Sequence, residues 1–120
     1  MPDEQLREQA ASIVDMLMDK KAVDVVMLET GQHSVVADWF VIASARNQLH
    51  LQALAQALED TLDGLHHREG RGKASWYLMD YGAIVVHLFT EEARRFYDLE
   101  RLWGDVPRYV AGERFGLTPS

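Results

Sequence analysis

The chain has 120 residues, of which 48% are hydrophobic, and a formal net charge of −7. This is the length of one domain, and the apolar content excludes disorder as the main state. The acidic balance disfavours a generally cationic nucleic-acid binder, and the lack of cysteine excludes disulfides, thiolate catalysis and cysteine-bound zinc. No apolar run approaches the ~20 residues that cross a bilayer, and the polar start is unlike a secretory signal, so we expect a cytoplasmic protein.

The first part of the chain predicts a helix followed by two strands. Apolar residues at three- and four-residue spacing predict a helix over 4–20. Dense β-branched and apolar residues predict strands over 22–29 and 38–43, and the second strand is apolar enough to be covered on both faces. The charge is concentrated here, because residues 1–66 hold four basic and eleven acidic side chains.

A second helix is predicted over 48–66, with Asn47 as its N-cap and a leucine-rich stripe to bury. Residues 67–73 break this pattern with two glycines and four charges. Strands are then expected over 75–80 and 83–89, joined by a tight hairpin at Gly82.

Thr90 is predicted to cap a third helix over 91–103, with Phe96, Leu99 and Trp103 facing inward. The order of elements predicts a single α/β domain over residues 1–106, a mixed sheet with packed helices. Residues 107–120 contain little periodicity, and we expect a loosely docked C-terminal tail there.

Two motifs suggest nucleotide chemistry, and neither fits. Gly70-Arg71-Gly72-Lys73 lacks the earlier glycine and the following Ser or Thr of a phosphate loop, and it precedes a strand rather than a helix. Asp98 and Glu100 would be about 200° apart on a helix and could not share a metal ion.

The histidines and serines also form no catalytic pattern. His66 and His67 are adjacent and diverge, and His87 on an apolar strand is typical of a hydrogen-bonded core or interface residue. No G-x-S-x-G elbow is present. The sequence therefore predicts no catalytic residue, no metal ligand and no cofactor.

Aromatic residues are concentrated near the C-terminus, where seven of the eleven lie within 28 residues. Trp76 and Tyr77 must face opposite sides of a strand, and Phe96 and Tyr97 diverge on a helix. They cannot all enter one core, so some must lie on a surface beside charged residues. That composition is typical of a protein–protein interface.

Several short runs together resemble one family. They are Asp38 with Phe40-Val41-Ile42-Ala43, Glu69-Gly70, Trp76, Asp80-Tyr81-Gly82, Val85-Val86-His87, Glu92, Arg95-Phe96-Tyr97, Leu99-Glu100 and Leu102-Trp103. The combination, which covers about residues 5–106, is similar to the ribosomal silencing factor family, the Iojap-related proteins.

This resemblance implies a factor that is not an enzyme. Members of the family bind the large ribosomal subunit through a ribosomal protein of the L fourteen family, block joining of the small subunit and lower translation when nutrients are scarce. The implied fold is related to nucleotidyltransferases without their catalytic acids, and free members are often homodimers. The chain departs from the family pattern at Ala45, Leu49 and Ala83.

On this basis we expect the partner to be a basic ribosomal protein, with no membrane and no sequence-specific nucleic acid involved. The aromatic side chains would be anchors and Glu100 a partner for a basic side chain. The predicted contact residues are Trp76, Met79, Tyr81, Tyr97, Glu100 and Trp103.

Two other functions stay open from the sequence. One is a nucleotidyltransferase-like enzyme, which rests on fold analogy alone. The other is an RNA-binding domain that uses Arg68, Arg71 and Lys73.

Overall fold

The computed structural model describes residues 2–31, 37–111 and 117–119. The long helices and strands follow one another in the predicted order, with additional short strands at 67–69, 108–111 and 117–119. In chain order they are α1 (Pro2–Asp19), β1 (Val23–Glu29), β2 (Trp39–Ala45), α2 (Gln48–Thr61), β3 (His67–Glu69), β4 (Trp76–Asp80), β5 (Ile84–Thr90), α3 (Glu91–Tyr97), α4 (Leu99–Leu102), β6 (Arg108–Ala111) and β7 (Leu117–Pro119).

The described strands form one mixed sheet in the order β3-β4-β5-β2-β1-β6-β7. Its centre is the parallel pair of β2 and β5, in register from Trp39 opposite Ile84 to Ala45 opposite Thr90. The other neighbouring strands pair antiparallel. Because β2 and β5 are covered on both faces, they are almost continuously apolar, as the sequence predicts. The predicted α/β fold class is confirmed.

One face of the sheet is covered by α1 and α2, and we call it the helix-covered face. Alternate residues of each strand point to it, including Val41 of β2, Tyr77 and Met79 of β4 and Val86 of β5. The helices contribute aliphatic residues, which lie fully buried against the strands: Ala10, Ile13, Val14, Leu17, Leu51, Leu54, Ala55 and Leu58. The main core of the protein therefore lies between this face and the two long helices.

Among the described residues, the opposite face is covered by the short helices α3 and α4, the segment that follows them and Ala37. It packs Val26 and Leu28 of β1, Phe40 and Ile42 of β2 and Phe89 of β5 against Ala93 and Val106. Trp76, Leu78, Leu99 and Trp103 are only partly buried against this second cluster. This face is where the fold leaves aromatic side chains accessible.

Both predicted caps are present. The Asn47 side-chain oxygen accepts a hydrogen bond from the His50 amide at 2.8 Å, and the Thr90 hydroxyl accepts one from the Ala93 amide at 3.3 Å. Each cap satisfies an amide that the first helical turn leaves without a backbone partner. Gly82 has φ +88° in the hairpin between β4 and β5, as predicted.

Three boundaries differ from the sequence prediction. Helix α2 ends at Thr61, and His67–Glu69 form a short strand paired with β4. The predicted third helix is interrupted at Asp98, which has φ +47° and ψ +48°. This left-handed residue ends α3 and turns the chain into α4.

The expected loosely docked tail also differs, because part of it belongs to the sheet. Arg108–Ala111 pair with β1 through Val26, Met27 and Leu28, and Leu117–Pro119 pair with Arg108–Ala111 in turn. Such short edge strands depend on main-chain pairing, which periodicity in the sequence does not reveal. Residues 112–116 and 120 of the predicted tail lie outside the described residues.

Candidate protein-binding surface

A continuous set of aromatic rings lies on the sheet face opposite α1 and α2. We call it the aromatic surface, and its members come from three strands and from the α3–α4 segment. They are Phe40, Trp76, His87, Phe89, Phe96, Tyr97 and Trp103. The strand members share this face because they sit at matching positions of the two-residue alternation.

Each ring contacts the next. Trp103 lies edge-on to Phe40 at 5.2 Å between centroids, and Phe40 lies edge-on to His87 at 4.8 Å. Trp76 stacks on Phe89 at 5.0 Å and contacts Tyr97 at 4.8 Å. These are the separations at which aromatic pairs attract one another beyond simple burial. The rings therefore form a pre-arranged apolar surface rather than separate exposed side chains.

The outer edge of the aromatic surface is open to solvent. Phe96 is 81% exposed and Tyr97 is 46% exposed, whereas Trp76 and Trp103 are partly buried. The prediction that Phe96 faces inward is therefore wrong. Large apolar side chains grouped in this way on a charged protein are typical of a protein-binding surface.

The loop before β4 places Trp76 at the edge of the sheet. Gly70 in this loop has φ +87°, and a Cβ there would overlap the Trp76 carbonyl oxygen and press on the Tyr77 ring. Only glycine accepts both this conformation and this close approach. The Trp76 indole then donates a hydrogen bond from Nε1 to Nδ1 of His87 at 3.2 Å.

His87 is a buried member of the aromatic surface, as the sequence predicts for a core or interface histidine. Burial lowers its pKa to about 4, because the surroundings disfavour the charged imidazolium. Its Nε2 atom has no hydrogen-bond partner among the described residues. At neutral pH the ring is uncharged, so its Nδ1 can accept from Trp76 and fix the plane of the indole.

Arg94 and Glu100 hold the α3–α4 segment against the sheet. The Arg94 guanidinium donates to Glu100 Oε1 at 2.8 Å, to Ser44 Oγ at 3.0 Å and to the Asp24 carbonyl oxygen. The second Glu100 oxygen pairs with Arg108 at 3.0 Å, and the Glu100 side chain is only 18% exposed. Glu100 was predicted to contact a partner, yet both its oxygens bind arginines of this chain.

Two other predicted contact residues lie on the wrong side of the sheet for this surface. Met79 is fully buried, and Tyr81 is 9% exposed, both in the core beneath the long helices. The alternation of β4 explains this, because Met79 is three residues from Trp76 and therefore points to the opposite face. Burial, and secondarily the Glu59 carboxylate, raise the pKa of the Tyr81 phenol, while Arg68 opposes the shift.

The surface thus brings together Trp76, Tyr97 and Trp103 of the predicted set. Sequence reasoning missed Phe40, His87 and Phe89 as their support. Phe40 and Phe89 could have been found from strand alternation, since Phe89 is opposite Trp76 in the pairing of β4 with β5.

Charged side chains share one cleft of the domain with Ser44. No group of three His, Asp or Glu side chains among the described residues is placed to hold a metal ion. A cleft of about 280 Å³ lies at the carboxyl end of β2, beside Ser44, and four carboxylates outnumber the guanidiniums of Arg94 and Arg95 in its lining. Its central cation, Arg94, already makes three contacts within the protein.

An open, pre-arranged apolar patch on an α/β domain is the kind of surface through which proteins bind one another. The chain belongs to the family described as "Ribosomal silencing factor during starvation", whose model matches residues 3–117. The resemblance stated from the sequence motifs is thereby confirmed. No helix of the described residues has the length and apolar character needed to cross a membrane.

Similarity to individual proteins supports this family assignment. The chain is 39% identical over 103 residues to "Ribosomal silencing factor RsfS" of Bacillus subtilis, an alignment that covers 82% of this chain and 86% of the relative. It is 31% identical over 98 residues to the mouse protein "Mitochondrial assembly of ribosomal large subunit protein 1", covering 76% of this chain and 43% of that protein.

The fold is also found in a solved structure. The crystal structure of a Chromobacterium violaceum protein matches with a TM-score of 0.74 and 26% sequence identity, over 81% of this chain and 85% of that one. The Bacillus subtilis and mouse relatives carry names that describe silencing or ribosome assembly rather than a catalysed reaction.

Proposed function

We propose that this protein binds the large ribosomal subunit through a basic ribosomal protein of the L fourteen family and sterically blocks joining of the small subunit. Translation would fall as a result when nutrients are scarce. The observation that carries the proposal is the aromatic surface, with Tyr97 and Phe96 exposed at its edge. Membership of the silencing-factor family and the large-subunit name of the mouse relative support it.

Charge favours this choice of partner. The net charge of −7 attracts a basic ribosomal protein and discourages non-specific binding to bare RNA. The aromatic side chains would be the anchors, and Glu92 and Asp98, both exposed on the α3–α4 segment, would lie at the polar rim. Action by occupancy alone needs no catalytic step and no cofactor, and it places the protein in the cytoplasm with the ribosomes.

Co-sedimentation with separated ribosomal subunits tests this proposal. Wild-type protein should pellet with the large subunit and reduce subunit joining. Tyr97→Ala should weaken binding about thirtyfold or more, since truncating an interface anchor costs about 2 kcal/mol. Gln9→Ala removes an exposed side chain from α1, on the other side of the sheet, and should bind as wild type does.

The melting temperature separates an interface role from a folding role. Because Tyr97 is 46% exposed and contacts Trp76, Tyr97→Ala should lower the melting temperature modestly, and by much less than a core truncation such as Met79→Ala. Wild-type protein that fails to bind the large subunit would overturn the proposal. So would nucleotide turnover with magnesium that disappears when one acidic residue is replaced, because it would favour the nucleotidyltransferase alternative.

We further propose that the free protein forms a homodimer through the same aromatic surface. Exposed apolar side chains such as Phe96 and Leu102 are more readily kept in solution when two copies cover them. Sedimentation equilibrium at roughly 50 μM should show a dimer if pairing is micromolar. A monomer alone at that concentration would contradict this second proposal without affecting the first.

A further inference from the structure

Five exposed cations are gathered at one end of this acidic molecule, around the start of α2. They come from the α1–β1 turn, the β2–α2 connection and the loop before β4. We call this set the basic end, and it consists of Lys20, Lys21, Arg46, Arg71 and Lys73. They are five of the 12 lysines and arginines in a chain that carries 19 carboxylates.

Hydrogen bonds to the first two turns of α2 bring these segments together. His50 accepts from the Arg46 amide at 3.0 Å through Nδ1 and contacts the Lys20 carbonyl oxygen through Nε2 at 2.8 Å. Gln48 donates to the carbonyl oxygens of Gly72 and Ala74, each at 2.7 Å. The first two turns of α2 therefore hold both the α1–β1 turn, which carries Lys20 and Lys21, and the loop of residues 70–73, which we call the glycine loop.

The glycine loop is anchored through its backbone, which leaves its cations pointing outward. The Gly72 carbonyl oxygen also accepts from the Tyr77 hydroxyl at 2.6 Å and from Gln52 at 3.2 Å. The side chains on either side of it, Arg71 and Lys73, are exposed. A loop with a fixed backbone and free cationic side chains presents its charges at a defined place.

These cations serve no ion pair in the part of the chain that the structure describes. Arg68, Arg94 and Arg108 are paired with Glu59 or Glu100, whereas none of the five at the basic end has an acidic partner there. The sequence has no Asp or Glu in 46–58 or in 70–79. Arg68, one of the three residues of the alternative RNA-binding prediction, is therefore used within the fold.

The basic end adjoins the aromatic surface. Lys73 precedes Trp76 by three residues, and the Ser75 carbonyl oxygen accepts from the Thr90 amide at 3.0 Å, immediately before α3 begins. When a partner binds to Trp76 and Tyr97, a molecule next to that partner therefore lies close to Lys73. On a ribosomal subunit, proteins and RNA are neighbours at the surface.

We propose that the basic end binds the phosphate backbone of ribosomal RNA next to the ribosomal protein held by the aromatic surface. The inference rests on the proposed function and adds a second, electrostatic contact to it. Lysine and arginine side chains free of acidic partners are the groups that neutralise phosphates and release counterions. Their small number and the acidic remainder of the chain confine this binding to RNA already positioned by the protein contact.

The salt dependence of binding to large subunits tests this inference. Arg71→Gln/Lys73→Gln removes two phosphate contacts and should lower the slope of log affinity against log salt by about 1.4–1.8. Wild-type affinity should then fall about tenfold more than that of the variant between roughly 50 and 200 mM salt. The control Gln5→Glu/Gln9→Glu makes the same change in net charge on exposed positions of α1 and should keep the wild-type slope.

A second pair of measurements separates this inference from the proposed function. Arg71→Gln/Lys73→Gln should bind the isolated basic ribosomal protein as wild type does and lose affinity only for the whole subunit. Leu49→Lys, at a position 76% exposed among the five cations, should raise the salt slope. Equal slopes for the double variant and wild type would overturn the inference and leave the proposed function standing.

Cross-linking identifies the chemical class of the neighbour. Because the chain has no cysteine, Leu49→Cys offers one labelling position for a photoreactive benzophenone. Cross-links to RNA in the large subunit are expected. Cross-links to protein alone would mean that the basic end contacts an acidic protein, and they would overturn the RNA assignment. Wild-type protein that binds no large subunit would remove the proposed function and this inference with it.

Discussion

The two faces of the sheet are built from the same strands and serve different ends. The helix-covered face packs Val41, Met79 and Val86 under two helices of 18 and 14 residues, and its residues are fully buried. In the part of the chain that the structure describes, the other face is covered by helices of seven and four residues and by the segment around Val106, and it leaves Phe96 and Tyr97 exposed. Burial is therefore concentrated on one face, while the other leaves large apolar side chains exposed.

The largest effect is expected from a change on the helix-covered face. Met79→Ala should lower the free energy of unfolding by about 2–5 kcal/mol, because it leaves a cavity in a fully buried core. Leu78→Ala, one residue away and partly buried on the other face, should cost less. Urea denaturation measures both. If Leu78→Ala were the more damaging, the proposed division between the two faces would be wrong.

Acidification should lower the free energy of unfolding through the buried imidazole of His87. Its folded-state pKa is about 4 and its unfolded value about 6.5, so protons bind the unfolded chain first. The stability that depends on an uncharged His87 is complete above pH 6.5 and is lost as the pH falls toward 4. This loss lowers the free energy of unfolding by up to about 3 kcal/mol. His87→Gln, which cannot titrate, should flatten the curve of unfolding free energy between these pH values. An unchanged curve would contradict the lowered pKa.

A smaller effect on stability is expected at Glu100, whose ion pairs hold the α3–α4 segment against the sheet. Glu100→Gln weakens the pairs with Arg94 and Arg108 and should cost about 1–2 kcal/mol, since these charged hydrogen bonds are partly shielded from water. Glu92→Gln, an exposed carboxylate of α3, should change stability by less than about 0.5 kcal/mol. Thermal melts compare the two, and equal melting temperatures would show that the Glu100 pairs contribute nothing.

The smallest effect on folding is expected at the most exposed position of the aromatic surface. Phe96→Ser should change the free energy of unfolding by less than about 0.5 kcal/mol, because an 81% exposed ring contributes little burial. It should nevertheless weaken binding to the large subunit. A variant with full affinity would place the contact elsewhere on this face.

The sequence was sufficient for the long elements of the fold. Apolar spacing and two capping residues, Asn47 and Thr90, predict the helices, and dense apolar runs predict the four main strands. The interruption at Asp98 was not predictable, because a left-handed conformation at a residue other than glycine depends on tertiary contacts. The strands at 67–69 and 108–111 are too short to show any periodicity of their own.

The candidate site was predicted in part. The surplus of aromatic residues correctly indicated a surface, and Trp76, Tyr97 and Trp103 lie on it. Met79 was misplaced even though two-residue alternation could have assigned it to the other face. The internal pairing of Glu100 with Arg108 could not be seen, since it depends on the strand formed by the predicted tail.

The parallel pairing of β2 with β5 determines when the sheet can form during synthesis of the chain. It joins Trp39 to Ile84, which lies 45 positions later, and ends at Ala45 opposite Thr90. Such distant pairing slows folding, because a long segment must be ordered before the contact forms. On a translating ribosome the sheet can close only after Thr90 has left the exit tunnel. Until then β2 has only β1 to pair with, and the aromatic surface does not exist.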